Sequence, residues 1–170
     1  MFPAPLGEME AIFDADGILT RLGFERSAEP YLDTMNLAQT DSAELLKREL
    51  NDYFTGTLKT FSVPIALYGT PFQMRVWSNL AEIPYGVTTT YGQVAKNLGD
   101  AKLSRAVGMA NGANPISIII PCHRVIGAGG KLTGYGGGLW RKAALLKLEG
   151  CTVQEPQRRA LASGKIIICT

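Results

Sequence analysis

The chain has 170 residues, 46% of them hydrophobic and 19% charged, which is the composition of a folded globular protein with one ordinary core or two small ones. It contains no stretch of the roughly 20 apolar residues that a membrane helix requires and no signal-peptide pattern at its start, so the sequence predicts a cytoplasmic protein without a membrane partner. Its net charge of +2 is unevenly distributed along the chain. Residues 1–70 carry 5 Lys/Arg against 11 Asp/Glu, and residues 71–170 carry 12 Lys/Arg against 4 Asp/Glu. The basic half indicates either a surface that binds a polyanion such as nucleic acid or a chance segregation of charge.

The first 68 residues predict a small structural domain of α+β class. Two short apolar runs flank Asp14-Ala15-Asp16-Gly17, a turn that ends in glycine, and this pattern predicts an antiparallel hairpin between Glu10 and Phe24. From Asp41 to Phe54 the apolar residues recur at helical spacing, which predicts an amphipathic helix. The run over residues 61–68 predicts a further strand, with Pro64 placing it at a sheet edge.

Residues 69–150 predict a second, mostly helical domain. Its helices are opened by Thr70-Pro71, by the capping-box pattern Thr90-Tyr91-Gly92-Gln93 and by Asp100. The predicted spans are Pro71 to about Glu82, Thr90 to Leu98, and Ala101 to about Gly112. The last two helices are joined by a tight turn containing glycine, so they predict a helix-turn-helix.

The last of these helices carries one long basic side chain, Arg105, among small residues that include Ala106 and Gly108. Each interior glycine costs about 1 kcal/mol relative to alanine, which is understandable if a nucleic-acid strand or another backbone comes close to this face. A helix so poor in Asn, Gln and Arg is unsuited to reading base edges in the major groove. It favours shape-based binding with Arg105 inserted into the nucleic acid, and the alternative is a helix packed inside the protein with Arg105 at its surface.

The segment Pro121-Cys122-His123-Arg124 is predicted to carry the reactive group of the protein. The apolar run over residues 116–120 predicts a short buried strand that leads into this segment. Cys122 is followed by the only histidine of the chain and by an arginine, and either cation would lower the pKa of the thiol. Because adjacent side chains seldom hydrogen-bond directly, a bridging water is the expected route for the proton. The alternative is an inert buried cysteine.

Glu149 follows a predicted helix over residues 139–148, where the helix dipole disfavours an acid. The imidazole of His123 would offset that penalty and complete a relay from Glu149 through His123 and a water to Cys122. The residues alone favour the alternative, a solvated glutamate at the end of the helix.

The glycine-rich segment over residues 129–138 predicts the wall of a pocket for a flat ligand. Tyr135 and the basic pair Arg141-Lys142 suit a rim that faces a base and a phosphate. A flexible linker is the alternative explanation for so many glycines.

The cysteines give no indication of a disulfide framework or a metal site. Cys122, Cys151 and Cys169 form an odd set without a C-x-x-C pair, which predicts free thiols in a reducing compartment. With a single histidine they offer no spacing typical of a zinc site. The sequence therefore predicts no metal and no other cofactor.

Residues 70–150 resemble the O6-alkylguanine-DNA alkyltransferases in register and without gaps. The resemblance is carried by Pro121-Cys122-His123-Arg124-Val125, Thr90-Tyr91-Gly92-Gln93-Val94-Ala95, Ser104-Arg105-Ala106-Val107-Gly108 and Gly134-Tyr135-Gly136-Gly137-Gly138. It implies a suicide methyltransferase that repairs DNA by direct reversal, moving a methyl or larger alkyl group from O6-alkylguanine, and also from O4-alkylthymine, to its own cysteine. It further implies a monomer that binds double-stranded DNA through the minor groove and flips the base out. A relative that binds alkylated DNA without transfer, a helix-turn-helix regulator and a cysteine hydrolase are the alternatives.

The resemblance also implies roles for individual residues. Cys122 would be the alkyl acceptor, His123 the water-mediated base and Glu149 its orienting acid, with Asn114 bracing the site. Tyr91 would help to rotate the nucleotide and donate a hydrogen bond to the leaving guanine. The substrate and DNA contacts would come from Arg105, which fills the gap in the base stack, and from Ala106, Gly108, Val125, Tyr135, Gly136, Gly137 and Lys142. The resemblance ends near Gly150, and the tail, residues 151–170, is expected to pack against the acidic domain or to be disordered.

Overall fold

The computed structural model describes residues 3–24, 41–154 and 166–168. The chain divides into two compact units, the first containing Met1–Tyr68 and Pro115–Ser117, the second Gly69–Asn114 and Ile118–Thr170. Both helices and small sheets are present, which confirms the predicted mixture of α and β structure. None of the helices in the described ranges has the length and apolar character needed to cross a membrane.

The first unit begins with the predicted hairpin, in which β1 (Met9–Phe13) pairs antiparallel with β2 (Leu19–Phe24). Asp14 closes the turn between them, because its side chain accepts hydrogen bonds from two backbone N–H groups of the turn at 3.0 and 2.9 Å. The predicted helix is also confirmed, since α1 spans Asp41–Phe54 and buries an apolar stripe of Ala43, Leu46, Leu50 and Tyr53.

Residues 61–68 do not form the predicted strand. They make a single parallel bridge to β2, at Ile65. Nearby, the buried carboxylate of Glu49 accepts hydrogen bonds from the backbone N–H groups of Ser62 and Val63 at 2.8 and 3.1 Å. The prediction is wrong because these backbone donors are satisfied by a side chain of α1, so they are not available to a sheet ladder.

The second unit contains the predicted helices with bounds close to those expected. Before the short helix α3, Thr90 accepts a hydrogen bond from the backbone N–H of Gln93 at 3.1 Å. The side chain of Gln93 donates to Asn97 at 3.0 Å instead, so only half of the predicted capping box forms. The helices are α2 (Pro71–Ala81), α3 (Tyr91–Asn97), α4 (Ser104–Gly112), which follows a 3-10 turn, and α5 (Leu139–Leu148).

Residues 116–120 do not form the predicted buried strand, although three of their four isoleucines are buried. Ile118 adopts a φ of 74°, a left-handed conformation that interrupts any strand and is rare for a β-branched residue. Cys122–Arg124 then form a 3-10 turn, followed by β4 (Val125–Ile126), which pairs in parallel with β3 (Thr89–Thr90). The cysteine is therefore positioned by a turn between Pro121 and a short strand.

The tail contributes a two-stranded sheet to the second unit, in which β5 (Thr152–Gln154) pairs antiparallel with β6 (Ile166–Ile168). This pairing was not predicted. Cys151, directly before β5, is disulfide-bonded, so the expectation of free thiols is wrong for this residue, while Cys122 is free. The spacing of the cysteines in the sequence does not reveal this disulfide, and Cys169 lies outside the described residues.

Candidate active site

Cys122 lies in the second unit, where it is held from two sides. Its backbone N–H donates to the carbonyl of Ile120 at 2.8 Å, and its own carbonyl accepts from Nδ2 of Asn111 at 3.4 Å. Asn114 donates from Nδ2 to the same Ile120 carbonyl at 2.8 Å. The end of α4 and the residues after it therefore fix the turn that carries the thiol, which is only 4% exposed.

His123 and Glu149 are in contact, with Nε2 of the imidazole 2.9 Å from Oε1 of the carboxylate. Both residues are buried, so the interpretation of Glu149 as a solvated glutamate is wrong. The same carboxylate accepts hydrogen bonds from Nε and Nη2 of Arg124 at 2.8 and 2.9 Å and from the backbone N–H of Gly86 at 3.2 Å. The sequence gives no indication of these contacts of Arg124.

The protonation states of this group follow from burial and charge. Burial by itself would raise the pKa of Glu149, but hydrogen bonds from His123 and Arg124 hold that pKa well below its usual range, so the carboxylate is ionised. Burial lowers the pKa of His123 more than Glu149 raises it, so the imidazole is neutral near pH 7. A neutral imidazole beside a carboxylate carries its hydrogen on Nε2, which leaves Nδ1 able to accept a proton.

Lys142 lies inside the protein, so the expectation that it faces a phosphate is wrong. Its ammonium is fully buried and donates to the carbonyls of Val125 at 2.6 Å, Thr133 at 2.7 Å and Gly134 at 3.4 Å. Burial lowers the pKa of Lys142 to about 8, and the interaction with Cys122 opposes that shift. The lysine therefore joins the strand β4 to the glycine-rich segment and adds a positive charge near the thiol.

The thiol of Cys122 is not ionised by its surroundings alone. Burial raises its pKa, and a hydrogen bond from Asn114 and the charge of Lys142 only partly oppose this effect. A thiol of this kind needs a base to remove its proton before it can act as a nucleophile. The neutral imidazole of His123, the next residue, meets that need.

Tyr91 lies at the start of α3, and the single hydrogen of its hydroxyl is shared between the carbonyls of Thr133 and Gly134, each at 3.2 Å. Burial raises its pKa, so the hydroxyl keeps its hydrogen. A Cβ added at Gly108 of α4 would lie 3.8 Å from the Tyr91 ring, so α4 passes close to this side chain. Arg105 is on the exposed surface of α4.

The remaining predicted contacts are spread along the glycine-rich segment. Gly136 is exposed and Tyr135 is half-buried, while the carbonyl of Gly137 accepts from Arg141 at 2.9 Å. Ala106 is half-buried on α4. In the described parts of the chain, no three or more His, Cys, Asp or Glu side chains are grouped as a metal site would require.

A family model described as the DNA-binding domain of 6-O-methylguanine DNA methyltransferase matches residues 71–151. A methylated-DNA–protein-cysteine methyltransferase from Methanosarcina acetivorans is 64% identical over 103 residues, which are 61% of this chain and 66% of that protein. The enzyme of the same name from Mycobacterium tuberculosis strain H37Rv is 61% identical over 101 residues, 59% of this chain and 61% of that protein. The matched region thus spans less than two thirds of the length of these relatives.

Solved structures extend the likeness over most of the chain. The crystal structure of Mycobacterium tuberculosis O6-methylguanine methyltransferase is 45% identical and has a TM-score of 0.76, covering 87% of this chain and 89% of that chain. Mycobacterium tuberculosis OGT in complex with DNA is 44% identical with a TM-score of 0.73, over the same shares of the two chains. With identity and coverage this high, and with the family's DNA-binding domain matched across the site, this chain belongs to the O6-methylguanine methyltransferase family.

Proposed function

We propose that this protein repairs DNA by moving a methyl or larger alkyl group from O6 of guanine to Sγ of Cys122, once per molecule. The observation that carries this proposal is the buried Cys122 beside a neutral His123. Nε2 of this histidine is hydrogen-bonded to the ionised carboxylate of Glu149, which leaves Nδ1 able to accept the thiol proton. The names of the relatives support the reaction, and the relative bound to DNA supports the partner.

The proposed reaction conserves protons and electrons at each step. The proton of the Cys122 thiol passes through a water to Nδ1 of His123, and the thiolate attacks the alkyl carbon. The S–C bond forms as the C–O6 bond breaks, and guanine leaves with the electron pair of that bond. Guanine takes a proton from the hydroxyl of Tyr91, and the proton held on His123 then restores that hydroxyl. The thioether is stable, so the protein is consumed, and O4-alkylthymine would react in the same way.

Residues 69–150 would bind DNA as a monomer through the helix-turn-helix of α3 and α4. Arg105 is exposed while Ala106 and Gly108 beside it are small, which suits close approach to the minor groove. Arg105 would fill the gap that the flipped nucleotide leaves in the base stack. Tyr135, with the glycines that follow it, would form the wall against which the guanine lies.

The test is to incubate the protein with a DNA duplex containing O6-methylguanine and to map the modification by mass spectrometry. One added methylene on the peptide that contains Cys122 is expected, and none in Cys122→Ser. Binding of the duplex without modification would instead identify a protein that recognises alkylated DNA but does not repair it. Modification of another residue would contradict the assignment of the acceptor.

A further inference from the structure

Two buried polar atoms have no hydrogen-bond partner among the described residues, and both belong to neighbours of Cys122: one residue contacts its backbone carbonyl and the other follows it in the chain. They are Oδ1 of Asn111 and Nδ1 of His123. Asn111 is 3% exposed, and leaving a buried amide oxygen unpaired costs free energy. We propose that Asn111 is a further positioning residue, whose Oδ1 holds the water that carries the proton from Cys122 to His123. The inference rests on the proposed alkyl transfer and adds one residue to it.

The position of Asn111 is fixed by its neighbours. It lies in the last turn of α4, where the carbonyl of the preceding residue, Ala110, accepts a hydrogen bond from the indole N–H of Trp77 at 2.8 Å. Nδ2 of Asn111 donates to the carbonyl of Cys122 at 3.4 Å. This bond assigns the nitrogen end of the amide to the cysteine backbone and leaves the oxygen end as an acceptor.

The hydrogen bonds of a water between Cys122 and His123 require a third partner. Before transfer, the water accepts the thiol hydrogen and donates one hydrogen to Nδ1 of His123, so its second hydrogen needs an acceptor. After transfer, the protonated imidazole donates to the water, and the water donates to the thiolate. Oδ1 of Asn111 can accept the second hydrogen in both states. The water then has the three partners that are usual for a buried water.

Asn111 is uncharged, as is Asn114, which is hydrogen-bonded to the thiol. Replacing Asn111 with a neutral side chain alters the position of the water without changing the charge of the site. The titratable groups that surround Cys122 and the base remain in place in such a variant: His123, Arg124, Glu149, Lys142 and Tyr91.

The test compares Asn111→Val with Asn111→Thr. The two variants share a branched shape and a similar effect on the helix, and they differ in a hydroxyl that can accept a hydrogen bond. The single-turnover rate of methyl transfer from a duplex containing O6-methylguanine is measured from acid to alkaline pH, together with the affinity for the duplex. We expect Asn111→Val to lower the rate at neutral pH about tenfold or more, since a positioned base contributes about 100-fold or more. Asn111→Thr should retain more of the rate, and both variants should bind DNA as the wild type does.

The pH profile separates a role in proton transfer from a role in packing. The deficit of Asn111→Val should shrink as the pH approaches the pKa of the thiol, because the thiolate then forms without a base. An equal loss in both variants at every pH, or no loss in either, would overturn the proposal. The smaller pair Asn111→Ser and Asn111→Ala repeats the comparison if the valine variant does not fold.

A failure of the alkyl transfer itself is distinguishable. In that case the wild-type protein would show no methylation of Cys122. If the wild type is methylated and His123→Gln loses the rate at neutral pH while Asn111→Val does not, the assignment of Asn111 alone is wrong.

Discussion

Replacing Glu149 by glutamine tests the buried electrostatics of the site most directly. The carboxylate accepts hydrogen bonds from His123, twice from Arg124 and from the backbone of Gly86, at 2.8 to 3.2 Å. Glutamine keeps one oxygen and puts an N–H group where the other stood, facing a donor. Arg124, which is 7% exposed, is then left buried without its counter-charge. Removing one partner of a buried ion pair costs about 3–5 kcal/mol, and we expect a loss of stability in this range.

Urea unfolding at neutral pH measures this loss, and Glu44→Gln is the matched control. Glu44 pairs with Lys47 at 2.7 Å on the surface, where its side chain is 62% exposed, so its replacement should change stability by no more than about 0.5 kcal/mol. If the two variants differ by less than about 1 kcal/mol, the ion pair between Arg124 and Glu149 does not contribute to the stability of the fold to the extent expected of a buried pair.

The pH dependence of the free energy of unfolding provides a second test of this ion pair. The pKa of Glu149 in the folded protein lies below its ordinary value of 4.5, so the stabilisation is fully present above that value and is lost as the pH falls through the lower folded pKa. The stability gap between wild type and Glu149→Gln should therefore be constant near neutral pH and shrink in acid. A gap that is the same at about pH 7 and about pH 3 refutes the reasoning.

Three further predictions concern groups around the site. Lys142→Met removes the positive charge near Cys122, so the rate at which iodoacetamide alkylates that thiol at neutral pH should fall several-fold, up to about tenfold for each unit that the thiol pKa rises. Trp77→Phe removes the indole donor at 2.8 Å from the carbonyl of Ala110, which keeps a longer hydrogen bond from the backbone N–H of Ala113 at 3.2 Å, so the free energy of unfolding in urea should fall by about 1 kcal/mol. Gly86 and Gly99 both have a positive φ, 75° and 102°, but an added Cβ would lie only 2.8 Å from a backbone carbonyl at Gly86 and in open space at Gly99. Gly86→Ala should therefore lower the thermal unfolding temperature more than Gly99→Ala does, and equal decreases would mean that the close contact has no effect.

The elements that the sequence predicted correctly are those whose signals are local. The helix α1 follows from apolar spacing over 14 residues, and the first hairpin follows from a turn in which Asp14 accepts two backbone hydrogen bonds. The two predicted strands that failed have partners far along the chain. Residues 61–68 give backbone hydrogens to Glu49, and residues 116–120 begin with a bridge to β2 and turn at once. An apolar run shows that a segment is buried, but not which group takes its hydrogen bonds.

The candidate site was predictable to a similar extent. Cys122 and His123 are adjacent in the chain, so the sequence alone shows that they are close together. The contact of Glu149 with His123 is one of two alternatives in the sequence, and the position of α5 in the structure decides between them. The sequence predicts Lys142 at the surface, although Lys142, Leu145 and Glu149, which directly follows α5, are spaced three and four residues apart and are all buried. Helical spacing that was already predicted for this segment is thus the signal that could have placed the lysine inside.

Burial and the sharing of the Glu149 carboxylate between two partners together explain how His123 can be held firmly and still act as a base. A carboxylate paired with the imidazole alone would raise the pKa of His123, and a protonated imidazole cannot accept the thiol proton. Arg124 donates two hydrogen bonds to the same carboxylate, and its own charge lowers the pKa of His123 further. The imidazole therefore keeps the hydrogen bond that orients it while remaining neutral. The arginine after the histidine thus stabilises the buried site and adds to the effect of burial, which is the main reason why the imidazole is neutral and able to accept the proton of Cys122.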